Sequence, residues 1–331
     1  MAGIHMIGWA VAALLTVSLL VLAYFVFQTR RLAASAEKQV PANGHFVAIR
    51  GNRIHYVEAG QGPPILFVHG LGGQLHHFRH TLFDQLAGDY RVIALDRPGS
   101  GYSVRARSAS GRLGEQAAVI AEFIDALSLE RPLVVGHSLG GAVALATALD
   151  HPDKVGALAL LSPLTHEQES IPPAFQPMLI RSALKRKFLA HTMAIPLALK
   201  HAPQTLAFVF GPQATPDDFI IGAGGILGLR PAHFEATVAD FVALEHELGR
   251  YEARLEELRM PVGVLFGTAD QLISHEQHAL PLAGRIRDFE LELVEGVGHM
   301  PQFVVPDRVE DFIRRMAAKA FSHRSVLTTG H

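Results

Sequence analysis

The chain has no cysteine. Disulfides, thiolate nucleophiles and Cys-ligated zinc are therefore excluded. The absence assigns no redox compartment, because a cysteine-free chain is tolerated in either. An excess of positive charge is missing too: 29 Lys and Arg stand against 31 Asp and Glu, a formal net charge of -2 over 331 residues. That balance offers no basic field to a nucleic acid, and none is expected as a partner. The HExxH metal pattern is absent. The 19 histidines cluster at His76, His77 and His80 in QLHHFRH, a segment without an acidic residue. The cluster reads as a polar helix or loop face near a pocket, not as a metal site. No internal repeat or low-complexity tract is present, and tryptophan occurs once, at Trp9.

Apolar residues are plentiful. They make up 49% of the chain against 18% charged, enough for a sizeable core in one large domain with an insertion or in two modest domains. Residues 7–27 carry no charge, and a helix of that length spans about 30 Å, the hydrocarbon thickness of a bilayer. Trp9 and Tyr24 sit near its ends, where amphipathic rings prefer to lie. Residues 1–6 form a short tip before this single-pass membrane helix, and the polar stretch 28–43 reads as a linker. Arg30 and Arg31 follow the apolar run and predict that the domain after it faces the cytoplasm. A cleaved signal peptide is the competing reading, with Ala34-Ser35-Ala36 as its small-residue site and export as the outcome. Against it stand the length of the run, the missing basic n-region and the two arginines before the site.

Strands and helices then alternate. HFVAIR and RIHYVEAG, joined by a turn at Gly51-Asn52, predict an edge hairpin. ILFVHG, RVIALD, LVVGHS, ALALLS and GVLFG are short apolar runs of the buried parallel type, and FELELVEG is the last strand. Helices are expected over residues 115–127, 139–149 and 307–321. The fold class is therefore α/β, a mostly parallel doubly wound sheet. Its core would comprise residues 44–162 and 231–321, with a tail at 322–331. The alternation stops over residues 163–230, which read as a helical cap above the strands' C-terminal ends, where ligands bind in open α/β sheets. A helix over 231–260, broken near Gly249, returns to the sheet.

Gly136-His137-Ser138-Leu139-Gly140 follows an apolar strand and opens a helix. This is a G-x-S-x-G turn in the strand-turn-helix setting that lifts a serine hydroxyl above a sheet. A hydroxyl needs a base, and the base needs an orienting acid. Asp270 lies just beyond GVLFG, and His299 lies on a Gly-flanked loop beyond the next strand, giving the order Ser, Asp, His. Each alone could be an ordinary loop residue; three at strand ends make a catalytic constellation. His69-Gly70-Leu71-Gly72-Gly73 follows ILFVHG, so the backbone N–H groups of Leu71 and Leu139 are the expected oxyanion donors.

HGLGG, DRPGSGYS from Asp96 to Ser103, GHSLGG, GTAD and GVGHMPQF resemble the signature set of the α/β-hydrolase superfamily, in its serine esterase and lipase branch. The likeness runs from about His45 to Phe321. It implies an α/β-hydrolase fold, the triad Ser138, Asp270 and His299, and Asp96 and Arg97 as a brace of the site. The one-pass layout resembles monoacylglycerol-lipase-like members. Serine at the elbow argues against dehalogenase and epoxide-hydrolase chemistry, which use aspartate there. The expected function is hydrolysis of a carboxylic ester, apolar or lipid-like, without cofactor or metal. Cleavage of a C–C bond, lactone or amide, or cofactor-free peroxidation, by the same triad is the alternative. A membrane-tethered binding protein without activity is the reading from another class. In the cap, Phe175, Met178, Leu179, Ile180, Met193, Ile195, Phe208, Val209, Phe210, Phe219 and Ile220 are expected mostly to pack, with some lining an acyl pocket. Arg181, Lys185, Arg186 and Lys187 read as a solvated face, with contact to anionic lipid headgroups as the alternative. If Asp270 were not the acid, the Glu167 region would be the next place to look. Oligomeric state has no signature in the sequence.

Overall fold

β1 (His45–Ile49) and β2 (Asn52–Ala59) form a hairpin. β3 (Pro64–Val68), β4 (Arg91–Leu95), β5 (Leu133–His137), β6 (Ala157–Leu161), β7 (Val262–Gly267) and β8 (Phe289–Val294) follow. The computed structural model describes residues 2–168, 171–245 and 247–322 and joins these strands into one eight-stranded sheet, ordered β1-β2-β4-β3-β5-β6-β7-β8. β2 pairs antiparallel with β1 and β4, and every other pairing is parallel. β3, β5, β6 and β7 are buried at every residue, as their unbroken apolar runs require. β8, at the edge, is partly buried over its first five residues and alternates apolar with acidic side chains, and Glu290 and Glu292 pair with Arg315 of the last helix.

Ile49 pairs with Asn52, so the hairpin turn is Arg50-Gly51, one residue before the expected Gly51-Asn52. Both turn residues have positive φ, 49° and 75°, the geometry of the tight two-residue turn that suits the strand twist. Asn52 belongs to the strand, and its side chain donates to the Ile49 carbonyl at 3.0 Å.

The helices are α1 (Ala2–Gln39), α2 (His76–Leu86), α3 (Leu113–Ala126), α4 (Leu139–Asp150), α5 (Ala183–Ala190), α6 (Ala194–Phe210), α7 (Pro231–Ala243), α8 (Leu248–Glu252), α9 (His275–His278), α10 (Pro301–Val304) and α11 (Pro306–Ser322). α3 and α4 pack on one face of the sheet; α2 and α11 pack on the other. The fit of α11 follows from its spacing: Val309, Phe312, Ile313, Met316 and Ala317 are its buried residues, one stripe of a 3.6-residue period.

Two expectations change. Residues 28–39 are not a linker; they continue α1 without a break. Nothing between Gly8 and Pro41 interrupts a helix, and LAASAEK is rich in good helix formers. This second half is also docked: Thr29 donates to the Thr192 carbonyl, Ala36 and Val40 are buried, and Glu37 pairs with Arg230 at 2.8 Å. The first half is apolar and exposed. Among the described residues, α1 is the one helix long and apolar enough to cross a membrane, a test that a signal sequence also passes.

The cap also extends further than residue 230. α7 packs on α5 and on the 3-10 turn Gly225–Leu229, so it belongs to the cap. The expected helix over 231–260 is divided into α7, α8 and a 3-10 turn at Leu255–Glu257. After α7 the chain changes direction to bury Leu248 and Tyr251 beside α4, where Tyr251 donates to Asp150 at 2.8 Å.

Candidate active site

The turn between β5 and α4 sets the site. Ser138 has φ 52° and ψ -121°, a conformation that a side-chain-bearing residue adopts only when its surroundings enforce it. The glycines explain how. A Cβ on Gly140 would collide with the Val68 carbonyl oxygen, and one on Gly136 would stand 2.6 Å from the Gly140 oxygen. Only glycine lets strand and helix close around the serine. The Ser138 carbonyl then accepts from the N–H groups of Gly141 and Leu164, at 2.8 and 3.1 Å. Leu139 is the first residue of α4, so its N–H is among the donors a helix leaves unsatisfied.

His299 Nδ1 and Asp270 Oδ2 are 2.6 Å apart, with both side chains nearly sealed from solvent. Donation from Nδ1 to the carboxylate leaves Nε2 as the basic nitrogen. The other Asp270 oxygen accepts from the backbone N–H groups of Leu272 and Ile273, at 2.8 and 3.2 Å, so the carboxylate cannot rotate freely. The loop carrying His299 is itself pinned: His137 Nε2 donates to the His299 carbonyl at 2.8 Å. Burial, with His299 close by, holds the His137 pKa well below the usual histidine range. Its ring is therefore neutral. Glu167 is not an alternative acid here. Its exposed carboxylate accepts from the Gly249 N–H at 3.3 Å and so faces the start of α8.

The loop of residues 69–73, which carries the expected oxyanion donor Leu71, is held from two sides. Arg97, fully buried, donates from Nε to the His69 carbonyl and from Nη2 to the Gly70 carbonyl, each at 2.9 Å. A trans peptide points its C=O and N–H in opposite directions. Pinning the Gly70 oxygen on Arg97 therefore turns the Leu71 N–H away from the arginine. Asp240 of α7 accepts from Arg97 at 2.6 Å and also pairs with Arg105. One helical face brings a second contact: His233, seven residues before Asp240, accepts from the Gly101 N–H and donates to the Gly72 carbonyl, both at 3.0 Å. Asp96 plays the bracing part expected of it. Its carboxylate accepts from the N–H groups of Leu75 and Tyr102 and lies 2.7 Å from His55 Nδ1.

Ser138, His299, Leu71 and Leu139 meet around one cavity of about 320 Å³, with Asp270 behind the histidine. The cap closes it with apolar side chains, among them Phe175, Met178, Leu206, Val209, Phe219 and Phe241. Other expected pocket residues only pack: Phe210 and Ile195 are fully buried. His77 also lines the cavity; its ring packs against Phe219 and Phe303, and burial pushes its pKa down to about 3. His80 turns away to Asp218 at 2.7 Å, so the histidine cluster divides and forms no common site. Among the described residues no group of His, Asp and Glu is arranged to hold a metal. Arg181 pairs with Glu245, and Arg186 is drawn to the carbonyls of Ile180 and Arg181.

His233 and Asp240 carry no motif in the sequence, whereas His77, part of a face expected near a pocket, is found in the pocket wall. A signal existed for Asp240, the lone charge in the apolar run Val238-Ala239-Asp240-Phe241-Val242. Its partner Arg97 is 143 residues away, and nothing local names it.

Comparison with known proteins agrees with this architecture. A 2-hydroxy-6-oxo-6-phenylhexa-2,4-dienoate hydrolase of Burkholderia cepacia is 27% identical over 256 residues, covering 76% of this chain and 86% of that one. The dihydrolipoyllysine-residue acetyltransferase component of the acetoin cleaving system of Cupriavidus necator is 40% identical over 131 residues, 39% of this chain. The match spans only about a third, 34%, of that protein's length. The crystal structure of an alpha/beta hydrolase fold protein from Burkholderia ambifaria superimposes with a TM-score of 0.69 at 24% identity, over 80% of this chain and 95% of that one. The family model for the alpha/beta hydrolase fold matches residues 63–306, from β3 to the start of α11. With its strand order, elbow and cap in place, this chain belongs to the α/β-hydrolase family.

Proposed function

We propose that the chain is a serine hydrolase of carboxylic esters, acting on an apolar or lipid-like substrate through an acyl-enzyme on Ser138. The observation that carries this reading is the 2.6 Å contact of His299 with Asp270 on the wall of an apolar cavity that also holds Ser138. In this reading His299 Nε2 takes the Ser138 proton as Oγ attacks the acyl carbon. The oxyanion is met by the N–H groups of Leu71 and Leu139. His299 then returns the proton to the leaving alcohol, and water releases the acyl group by the same steps in reverse roles. These steps use only the chain's own groups, so no cofactor is invoked.

A second reading is favoured by the Burkholderia cepacia relative, whose name describes a C–C hydrolase and which matches over most of its length. The same triad could serve such a bond. Esters graded by acyl length, tested beside a 2-hydroxy-6-oxo-dienoate, separate the two. Ester turnover peaking at medium or long chains supports the proposal, and turnover of the dienoate alone supports the alternative. A protein silent on both, and unreactive to a phosphonate probe, would be a binding protein on a hydrolase fold.

We also propose that α1 is a retained membrane anchor with the catalytic domain on the cytoplasmic side. No residue in the apolar span of α1 is fully buried in the protein, and the turn carrying Ala36 is packed against the cap, where a peptidase would have to pull it open. Protease protection in sealed vesicles tests the side, and the N-terminal sequence of the mature protein tests retention.

A further inference from the structure

The cap meets α1 within its apolar run. The uncharged run ends at Phe27, yet Leu22, Phe25 and Val26 are already partly covered. A cleft beside α1 is lined by Leu22, Val26 and Arg30 on one wall and by Lys187, Phe188 and Thr192 on the other. Thr29 Oγ1 ties the two walls together through the Thr192 carbonyl. At 1.5 Å per residue, Leu22 lies about 7.5 Å along the helix from Phe27, on the side of the apolar run. The end of α5 therefore sits beside the last turn and a half of that run. α1 is one unbroken helix through this region, so the cap is carried wherever the span goes.

The surface at that level is unusual for a water-facing one. Leu184 is 82% exposed and Phe188, one turn on and on the same face, is 53% exposed. Leu197 and Leu199 of α6 are each 44% exposed. Lys185 and Lys187 flank the apolar pair and are exposed as well, the arrangement of a surface whose apolar face enters an interface while its lysines stay at headgroup level. From Leu199 an apolar groove of about 830 Å³ runs along α6 past Ala202, Pro203 and Leu206 to Ile220. Leu206 also forms part of the wall of the catalytic cavity.

We infer that the α5–α6 face of the cap is a bilayer-docking surface, which seats Leu184 and Phe188 among lipid acyl chains and opens the α6 groove to the membrane. The inference rests on α1 spanning the membrane, and it names the source of the lipid-like substrate: the leaflet beside the span, not the water above it. Continuity with the span selects lipid as the occupant. A second copy of the chain is the competing occupant.

Because the chain has no cysteine, single-cysteine variants of the full chain carry one probe each. Leu184→Cys, Phe188→Cys and, as a control at the far end of the sheet, Asp153→Cys would be labelled with a polarity-sensitive maleimide dye. The labelled proteins are reconstituted into phosphatidylcholine–phosphatidylglycerol vesicles with or without lipid spin-labelled near the headgroup. The dyes at 184 and 188 should be blue-shifted and lose at least half their emission to the spin label, while the dye at 153 stays water-like. Trp9 reports the span separately, since lipid-borne quenchers should reach it. Water-like dyes at 184 and 188 beside a quenched Trp9 would overturn the docking surface and leave the span standing. Blue-shifted dyes that the lipid label cannot quench would assign the face to a second copy. An unquenched Trp9 would remove the span and this inference with it. As a functional arm, the double variant Leu184→Glu, Phe188→Glu should lose at least tenfold in turnover of vesicle phospholipid and keep its rate on a short soluble ester. Unchanged vesicle turnover would also overturn the inference.

Discussion

The strand ends and the cap build opposite walls of one cavity by different means. At the strand ends each reactive group is placed by its immediate neighbours. Ser138 owes its geometry to glycines two residues to either side, and Asp270 is held by N–H groups two and three residues on. In the cap nothing is local. Asp240 reaches Arg97, which holds the loop of residues 69–73, across 143 residues, His233 reaches Gly72 of that loop across 161, and the apolar wall is gathered from separate helices. On the proposed function, strand ends carry the chemistry in short motifs that tolerate little change, while the cap sets orientation and substrate through contacts that only the folded chain brings together. Variants at the strand ends should abolish turnover in a folded protein. Variants in the cap should act by degrees and mix activity with stability.

The largest effect is expected at the nucleophile. Ser138→Ala or His299→Ala should lower ester turnover by on the order of a millionfold, and Asp270→Asn by on the order of ten-thousandfold, each with an unchanged circular dichroism spectrum. A Ser138→Ala protein with near-normal turnover would break the comparison at its root. Next comes the oxyanion loop. Leu71→Pro removes the N–H and should cost at least a hundredfold in kcat, the usual scale for one donor, whereas Leu71→Ala should cost far less. Equal losses would transfer the role from the N–H to the side chain.

Asp240→Asn sharpens the contrast from the cap side. It leaves Arg97 and Arg105 buried beside each other without their shared carboxylate, which should destabilise the fold by about 3–5 kcal/mol in urea titration. The surviving folded fraction should show a kcat roughly tenfold lower or worse, because a slackened Arg97 no longer fixes the Gly70 carbonyl. Normal kcat in that fraction would mean that the cap does not position the loop.

The smallest effect is a pH dependence of stability. Burial holds His77 down to about 3, and His76 and His278 down to about 4. These rings stay neutral in the fold, while in the unfolded chain they take up protons below about 6.5. Their contribution is therefore complete above that value and is lost as pH falls from about 6.5 towards 4 for His76 and His278 and towards 3 for His77. Between pH 7 and 5 His77 should account for about 2 kcal/mol of the loss. The urea midpoint of His77→Phe should fall less steeply over that window than that of the parent chain.

The same contrast explains what was legible in the sequence. The eight strands, the elbow and the order Ser138, Asp270, His299 are written in apolar runs and glycine spacing, and all recur in the fold. The hairpin turn moved by one residue because Asn52 is as content in the strand as in the turn, a choice made by pairing with Ile49. Residues 28–39 look like a linker in the sequence because polarity there marks a helix with one docked face, and the docking partners Thr192 and Arg230 lie far along the chain. The end of the cap was misplaced for a similar reason: α7 carries an ordinary helical pattern, and its allegiance to the cap shows only in what it touches.

The central claim is that Ser138 is a nucleophile activated by His299 and oriented for attack inside this cavity. Intact-mass and peptide-level mass spectrometry after reaction of the full chain with an alkyl phosphonate ester tests it most directly. A single adduct on the peptide containing Ser138 is predicted, absent in Ser138→Ala and strongly slowed in His299→Ala. A folded protein that takes up no phosphonate, or takes it up at another residue, would contradict the account.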